Sequence, residues 1–98
     1  MTPSAIRRGY LLKALHMSYP RPLGDRTILL FMIELGYSVA DFEKDIEYLR
    51  EKGYIEMEEK KLEIYPSTIR LVKLTPKGID LVEGTIKDNG VVFNGQAK

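Results

Sequence analysis

The sequence predicts an α+β fold that is mainly helical, in a single domain with one hydrophobic core. Its 98 residues, 44% hydrophobic and 30% charged, have the length and composition of one globular domain. Apolar residues recur at helical spacing in three segments of the first half. The second half contains segments with strand patterns, followed by a segment with helix-start signals.

The first helix is predicted over residues 3–17, which begin with proline and carry apolar residues three to four positions apart. Arg7 and Arg8 lie mostly off its apolar face. Residues 18–24 contain two prolines and a glycine, which exclude a helix and predict a loop.

The second helix is predicted from Asp25, a suitable N-cap, to Leu35, just before Gly36. It contains six consecutive apolar residues at 28–33. A helix that is apolar all round must be covered on all sides. Two arrangements satisfy this requirement: the chain itself wraps the helix, or one face meets a second subunit in a homodimer.

The third helix is predicted to begin at Ser38, which forms a capping-box pattern with Asp41, and to end near Gly53. Two helices joined by so short a turn, the first ending in glycine, form a helix-turn-helix pattern. The apolar stripe of this helix consists of Val39, Phe42, Ile46 and Leu49.

Strand patterns follow the third helix. Residues 54–58 alternate with period two, residues 62–65 are a candidate second short strand, and residues 69–74 predict a further strand. A strand pair in this position is a wing. Thr75 as N-cap and Pro76 at the first helical position predict a last helix. The order predicts a winged helix-turn-helix fold with three helices, a two- or three-stranded wing and a C-terminal helix.

The domain is predicted to span residues 1–87. Residues 88–98 are rich in glycine and asparagine and are expected to form a loosely ordered tail. Within this tail, the apolar residues 91–93 would pack back onto the domain or onto a partner.

The composition argues against several classes of function. The absence of cysteine excludes a disulfide framework, a thiolate zinc site and a cysteine nucleophile. No stretch resembles a secretory leader or a membrane span, so we expect a cytoplasmic protein. His16 is the only histidine and has no nearby metal-ligand spacing. We find no catalytic constellation, and therefore expect neither an enzyme nor a bound metal or cofactor.

Three segments resemble a known family. Residues 45–55 resemble the end of the recognition helix and the start of the wing in winged-helix regulators, including ArsR- and MarR-like proteins. Residues 74–84 resemble the segment that closes the wing and opens the final helix. Together with residues 11–15, they are most similar to small winged-helix proteins of Mu-like prophages. The resemblance covers about residues 6–93, and it implies a phage-related, DNA-associated role in transcription regulation.

The charge pattern leaves more than one partner open. The net charge is only +1, whereas DNA-binding domains usually carry a stronger positive bias. Residues 1–35 carry a net charge of +3 and residues 36–53 a net charge of −2. The outer face of the third helix is expected to be acidic. Three interpretations of this face stay open: a solvated surface, a DNA-contacting surface or a site for a basic protein partner. Its residues are Ala40, Asp41, Glu43, Lys44, Glu47, Tyr48 and Glu51.

We therefore expect a small DNA-binding protein, with a protein–protein adaptor as the alternative. In a complex with double-stranded DNA, basic side chains would neutralise phosphates, and one exposed tyrosine would contact the nucleic acid. A two-fold dimer would place two recognition helices in successive major grooves. The candidate nucleic-acid-binding residues are Arg7, Arg8, Arg26, Lys44, Tyr48, Lys60 and Lys61.

Overall fold

A computed structural model describes residues 2–63 and 67–93. These residues form four helices and a three-stranded antiparallel sheet, which confirms the predicted α+β, mainly helical class. In chain order the elements are α1 (Pro3–Ser18), β1 (Leu23–Gly24), α2 (Asp25–Glu34), α3 (Val39–Glu51), β2 (Ile55–Lys61), β3 (Thr68–Leu74) and α4 (Pro76–Val82).

Helices α1, α3 and α4 each begin after a hydroxyl residue whose side chain accepts a backbone hydrogen bond. At α3, the Ser38 hydroxyl accepts from the Asp41 N–H at 3.1 Å, and the Asp41 carboxylate accepts from the Ser38 N–H at 3.3 Å. At α4, the Thr75 hydroxyl accepts from the Gly78 N–H at 3.1 Å. These bonds satisfy donors that a helix start leaves unpaired. The predicted caps of α3 and α4 are confirmed.

Four residues, 35–38, connect α2 to α3. Gly36 adopts a φ of +94°, which residues with a Cβ adopt only at a cost in energy. The N–H of Tyr37 donates to the carbonyl of Met32 at 3.0 Å, so the turn stays attached to the end of α2. The two helices are therefore held close together by a short, specified turn.

The sheet has the strand order β1–β3–β2, with both neighbouring pairs antiparallel. The β2–β3 hairpin runs from the pair Ile55–Leu74 to the pair Lys61–Thr68. On the other edge of β3, Leu23 pairs with Val72. The central strand β3 thus connects the segment before α2 to the hairpin that follows α3.

Two strand predictions need correction. Residues 18–24 were predicted as a loop, yet Leu23 and Gly24 form β1. Two residues are too few to show a period-two pattern, and their pairing depends on the exposed edge of the distant β3. The candidate strand at 62–65 is not formed at Leu62 and Glu63: β2 ends at Lys61, and the Leu62 N–H donates to the Ser67 carbonyl in the connection to β3. Residues 64 and 65 lie outside the described residues.

The hydrophobic core lies between the helices and the sheet. Three of the four residues predicted for the α3 stripe are buried, but Val39 is 53% exposed. Val39 is the first residue of α3, and residue spacing does not specify how far neighbouring elements extend along a helix. The buried core residues are Leu11, Leu12, Leu15, Ile28, Met32, Phe42, Ile46, Leu49, Tyr54, Ile55, Val72, Leu74, Leu81, Val82, Val91 and Phe93.

The apolar run of α2 is only partly covered. Ile28 and Met32 are buried, whereas Leu30, Phe31 and Ile33 are 64%, 41% and 44% exposed. The described residues of the chain therefore do not wrap this helix on all sides. Among these residues, neither α2 nor any other helix combines the length and apolar character needed to cross a bilayer.

The packed part of the chain extends past residue 87, the predicted end of the domain. Val91 and Phe93 are 5% and 4% exposed and belong to the core. The N–H of Val92 donates to the carbonyl of Ala5 at 2.9 Å. Gly9 permits this approach, because a Cβ at that position would overlap the Val92 carbonyl oxygen. The segment 88–93 is therefore part of the domain.

Candidate nucleic-acid interface

The outer face of α3 is less acidic in three dimensions than its sequence indicates. Glu43 accepts a hydrogen bond from Arg70 of β3 at 2.9 Å. Arg70 also donates to Asp25 at 2.9 Å, so it joins α3 to the start of α2. The hydrogen bond to Asp25 is the main cause that raises the pKa of Arg70 above its ordinary value. Asp25, predicted as the N-cap of α2, is instead its first residue.

Two further carboxylates of this face have partners within or beside the helix. Glu47 accepts from Arg50, three residues later, at 2.8 Å, and this hydrogen bond lowers the pKa of Glu47. Asp41 accepts from the Ser38 backbone, which lowers its pKa, and lies 3.4 Å from a guanidinium nitrogen of Arg7. Of the four carboxylates predicted on this face, Glu51 is the one without an ion pair to a described residue.

Arg7, predicted to contact nucleic acid, is buried between α1 and α3. Its side chain makes two hydrogen bonds to Asp45, one of them between Nη2 and Oδ1 at 2.8 Å. Asp45 is 0% exposed, and its hydrogen bond is the main cause that raises the pKa of Arg7. A phosphate could reach Arg7 only if Asp45 lost its partner inside the protein. Arg7 therefore holds two helices together.

Arg8 and Tyr48 are brought into the same cluster. The Arg8 guanidinium lies 3.7 Å from the centre of the Tyr48 ring, a cation–π distance. Arg8 also donates to the Gly90 carbonyl at 3.0 Å and lies 3.4 Å from Asp45. Both side chains are thus engaged within the protein, and they connect α1 and α3 to the segment 88–93.

We call the residues that meet around the Arg7–Asp45 pair the Arg7 cluster. Asp45 lies three residues after Phe42 and four before Leu49, so helical spacing already puts it on the buried stripe of α3. A buried carboxylate needs a cationic partner. The position of Asp45 on the buried stripe was therefore the sequence signal for an internal ion pair. The residues of the Arg7 cluster are Arg7, Arg8, Asp45, Tyr48 and Gly90.

The remaining four candidates are solvent-exposed: Arg26, Lys44, Lys60 and Lys61. None of the four forms a side-chain ion pair with a described residue. Lys60 and Lys61 end β2, opposite Ile69 and Thr68, at the far end of the hairpin. Because successive strand residues point to opposite faces, these two lysines extend to the two sides of the hairpin.

A second polar cluster lies at the end of the domain. The Tyr54 hydroxyl donates to the Asp88 carboxylate at 2.6 Å, and burial together with this bond raises the pKa of Tyr54. Burial alone would raise the pKa of Asp88, but hydrogen bonds from Tyr54 and the Gly90 N–H, with the charge of Lys52, lower it. This cluster anchors the segment 88–93 to the start of the hairpin.

The lone histidine does not form part of a recognisable site. His16 Nε2 lies 3.6 Å from a carboxylate oxygen of Glu83, and both side chains are partly exposed. In the parts of the chain that the structure describes, no three His, Asp or Glu side chains are grouped to hold a metal ion. Comparisons of the chain with protein-family models, curated proteins and solved structures gave no match.

Proposed function

We propose that this chain is a winged helix-turn-helix protein that binds double-stranded DNA. In this proposal α3 enters the major groove and the β2–β3 hairpin is a wing on the adjacent backbone. The observation that carries it is the order of elements: two helices joined by a four-residue turn, with the hairpin directly after the second. The pairing of β1 with β3 supports the same interpretation, because it holds the hairpin beside the helix pair.

The ion pairs of α3 remove part of the main objection to DNA binding. Four unpaired carboxylates would repel phosphates, but Glu43 and Glu47 each have an arginine at 2.9 Å or less. Lys44 is exposed on the same helix and supplies a positive charge. The face of α3 is thus closer to neutral, and a major groove accommodates a helix of this width.

The hairpin end supplies the phosphate contacts in this proposal. Lys60 and Lys61 are exposed and without ion pairs to described residues, so they can bind phosphates without breaking internal contacts. Each phosphate neutralised contributes about 0.9 to the slope of log affinity against log salt concentration. The two lysines would therefore account for roughly 1.8 of that slope.

The first test removes these two charges. The double variant Lys60→Gln/Lys61→Gln is expected to bind mixed-sequence duplex DNA more weakly, with a salt slope shallower by about 1.8. Fluorescence anisotropy titrations at several salt concentrations measure both quantities. The matched control, Lys13→Gln/Lys87→Gln, removes two exposed lysines from α1 and from the segment after α4. It is expected to retain most of the affinity.

Two results would contradict the proposal. One is the absence of DNA binding by the natural protein at tens of micromolar and low salt, where even non-specific binders associate. The other is an equal loss in both double variants, because net charge would then explain the effect without a hairpin contact.

We further propose that the DNA-bound protein regulates transcription and is related to phage proteins. The support is the resemblance of residues 45–55 and 74–84 to winged-helix regulators.

The alternative, an adaptor that uses α3 to bind a basic protein, is favoured by one observation: Glu51 is exposed and without an ion pair to a described residue. Replacing Glu51 with Gln distinguishes the two, because it would strengthen DNA binding by α3 and weaken binding of a basic partner.

A further inference from the structure

The exposed face of α2 is apolar in the middle and charged at both ends. Leu30 is 64% exposed, and at 100° per residue it points directly away from the buried residues Ile28 and Met32. Arg26 lies four residues before Leu30 and Glu34 four residues after it, so all three share one face. We call this face the α2 stripe.

The two charges of the α2 stripe are placed against the helix dipole. Arg26 is in the first turn, where a positive charge is disfavoured, and Glu34 is in the last turn, where a negative charge is disfavoured. They are about 12 Å apart along the axis, too far to pair with each other. Neither forms an ion pair with any residue that the structure describes. Asp25 supplies a negative charge at the start of α2 but is already paired with Arg70, and the described residues place no positive charge in the last turn to balance Glu34.

We propose that the α2 stripe pairs with the same stripe of a second copy of this chain, antiparallel about a two-fold axis at Leu30. In this arrangement Leu30 meets Leu30 of the other copy at the axis. Arg26 of each copy meets Glu34 of the other, because both lie four residues from the centre. The helix dipoles oppose each other, so the charges disfavoured in one copy are matched by the other.

The exposed apolar area sets the expected strength. On the exposed half of α2, Leu30, Phe31 and Ile33 are each more than 40% exposed. At roughly 200 Å² per fully exposed large side chain, they present on the order of 300 Å². This is as large as the apolar patches that mark interaction sites, but less than the roughly 800 Å² per partner of a standard interface. The dimer is therefore expected to be weak and in reversible equilibrium with the monomer.

A charge-swap series tests this dimer in the absence of DNA, so its outcome is independent of the proposed DNA binding. Sedimentation velocity over a wide range of protein concentrations is expected to show a monomer–dimer equilibrium. Arg26→Glu and Glu34→Arg each place like charges opposite one another and are expected to weaken the dimer at least tenfold. The double variant Arg26→Glu/Glu34→Arg restores opposite charges across the axis and is expected to recover most of the affinity.

The controls separate the interface from general effects. Lys13→Glu makes the same charge change as Arg26→Glu on α1, and we expect it to leave the equilibrium unchanged. Leu30→Glu is expected to give a monomer, with circular dichroism confirming the fold of each variant. A natural protein that stays monomeric at several hundred micromolar would overturn the proposal. A double swap no better than the single variants would overturn the antiparallel pairing.

Discussion

Arg7 and Asp45 form an ion pair that is almost entirely removed from water. Burial of each charge costs several kcal/mol, which only its partner and further hydrogen bonds can offset. Asp45 has both oxygens engaged by Arg7, and Arg8 lies 3.4 Å away. The net contribution of this ion pair to stability is therefore smaller than the loss of stability that follows when one partner is removed.

Asp45→Ala is accordingly expected to destabilise the protein by about 3–5 kcal/mol, because Arg7 would stay buried with only the partly exposed Asp41, 3.4 Å away, as a counter-charge. Urea denaturation measures the loss. In the double variant Arg7→Met/Asp45→Leu both charges are absent, and most of the stability is expected to return. The control Glu51→Ala, on the exposed side of α3, is expected to change stability by less than about 0.5 kcal/mol. A cost for Asp45→Ala no larger than that of the control would contradict this account.

The burial of Tyr54 and its hydrogen bond to Asp88 make stability depend on pH in both directions. The pKa of Asp88 is lowered in the folded state, so its contribution is present above its ordinary value of 3.8 and is lost as the pH falls below it. The pKa of Tyr54 is raised, so its contribution is complete below the ordinary value of 10.0 and is lost as the pH rises beyond it.

Single variants separate the loss of stability at low pH, which involves Asp88, from the loss at high pH, which involves Tyr54. Asp88→Asn is expected to cost about 1.5–3 kcal/mol near neutral pH, and its difference from the natural protein shrinks as the pH falls to about 3. Tyr54→Phe is expected to lose less stability than the natural protein when the pH rises above about 10. Denaturation midpoints measured across this range provide the check. Parallel pH profiles for the natural protein and both variants would refute the assignment.

At the scale of elements, α1 and the segment 88–93 are packed so closely that one Cβ would not fit between them. Gly9 lies within α1, where alanine would by itself favour the helix by roughly 1 kcal/mol. The Val92 carbonyl, however, occupies the position that a Cβ at residue 9 would take. Gly9 is thus explained by the contact between the two elements and not by the helix.

Gly9→Ala is therefore expected to destabilise the protein by about 1–3 kcal/mol, although it improves helix propensity. Thermal denaturation followed by circular dichroism measures the change. Ser4→Ala, near the start of the same helix, provides the comparison for helix propensity. An increase in stability for Gly9→Ala would mean that the segment 88–93 does not rest against α1 in solution.

The elements also show which features local sequence can predict. The cap of α3 and the start of α4 follow from a hydroxyl residue and its close neighbours, and both were predicted from Ser38 and Thr75. Strand β1 was missed because it depends on the edge of β3, almost 50 residues away in the sequence. The sequence allowed Phe93 to pack onto the domain or onto a partner, since the glycine and asparagine around it favour a loose tail, and in the fold Phe93 is buried in the domain.

At the scale of the whole molecule, the charge of α3 depends on other elements. The sequence assigns residues 36–53 a net charge of −2, which suggests an acidic surface. In the fold, Arg70 from β3 and Arg7 from α1 approach the carboxylates of this helix. Each arginine lies 27 to 38 positions from the carboxylate with which it pairs, so no local sequence pattern indicates these ion pairs. The exposure of Lys44, Lys60 and Lys61 fits their prediction as surface residues, whereas the internal contacts of Arg7 and Arg8 were not predictable from local spacing.

The hydrogen bond between Val92 and Ala5 joins the first and last elements that the structure describes. A ribosome produces roughly 5–20 residues per second, so α1 leaves the exit tunnel seconds before its final neighbours have been synthesised. During that interval the surface of α1 around Gly9 remains exposed to solvent. Cotranslational folding of this domain can therefore begin with α1, but it can reach completion only after residues 88–93 have left the exit tunnel.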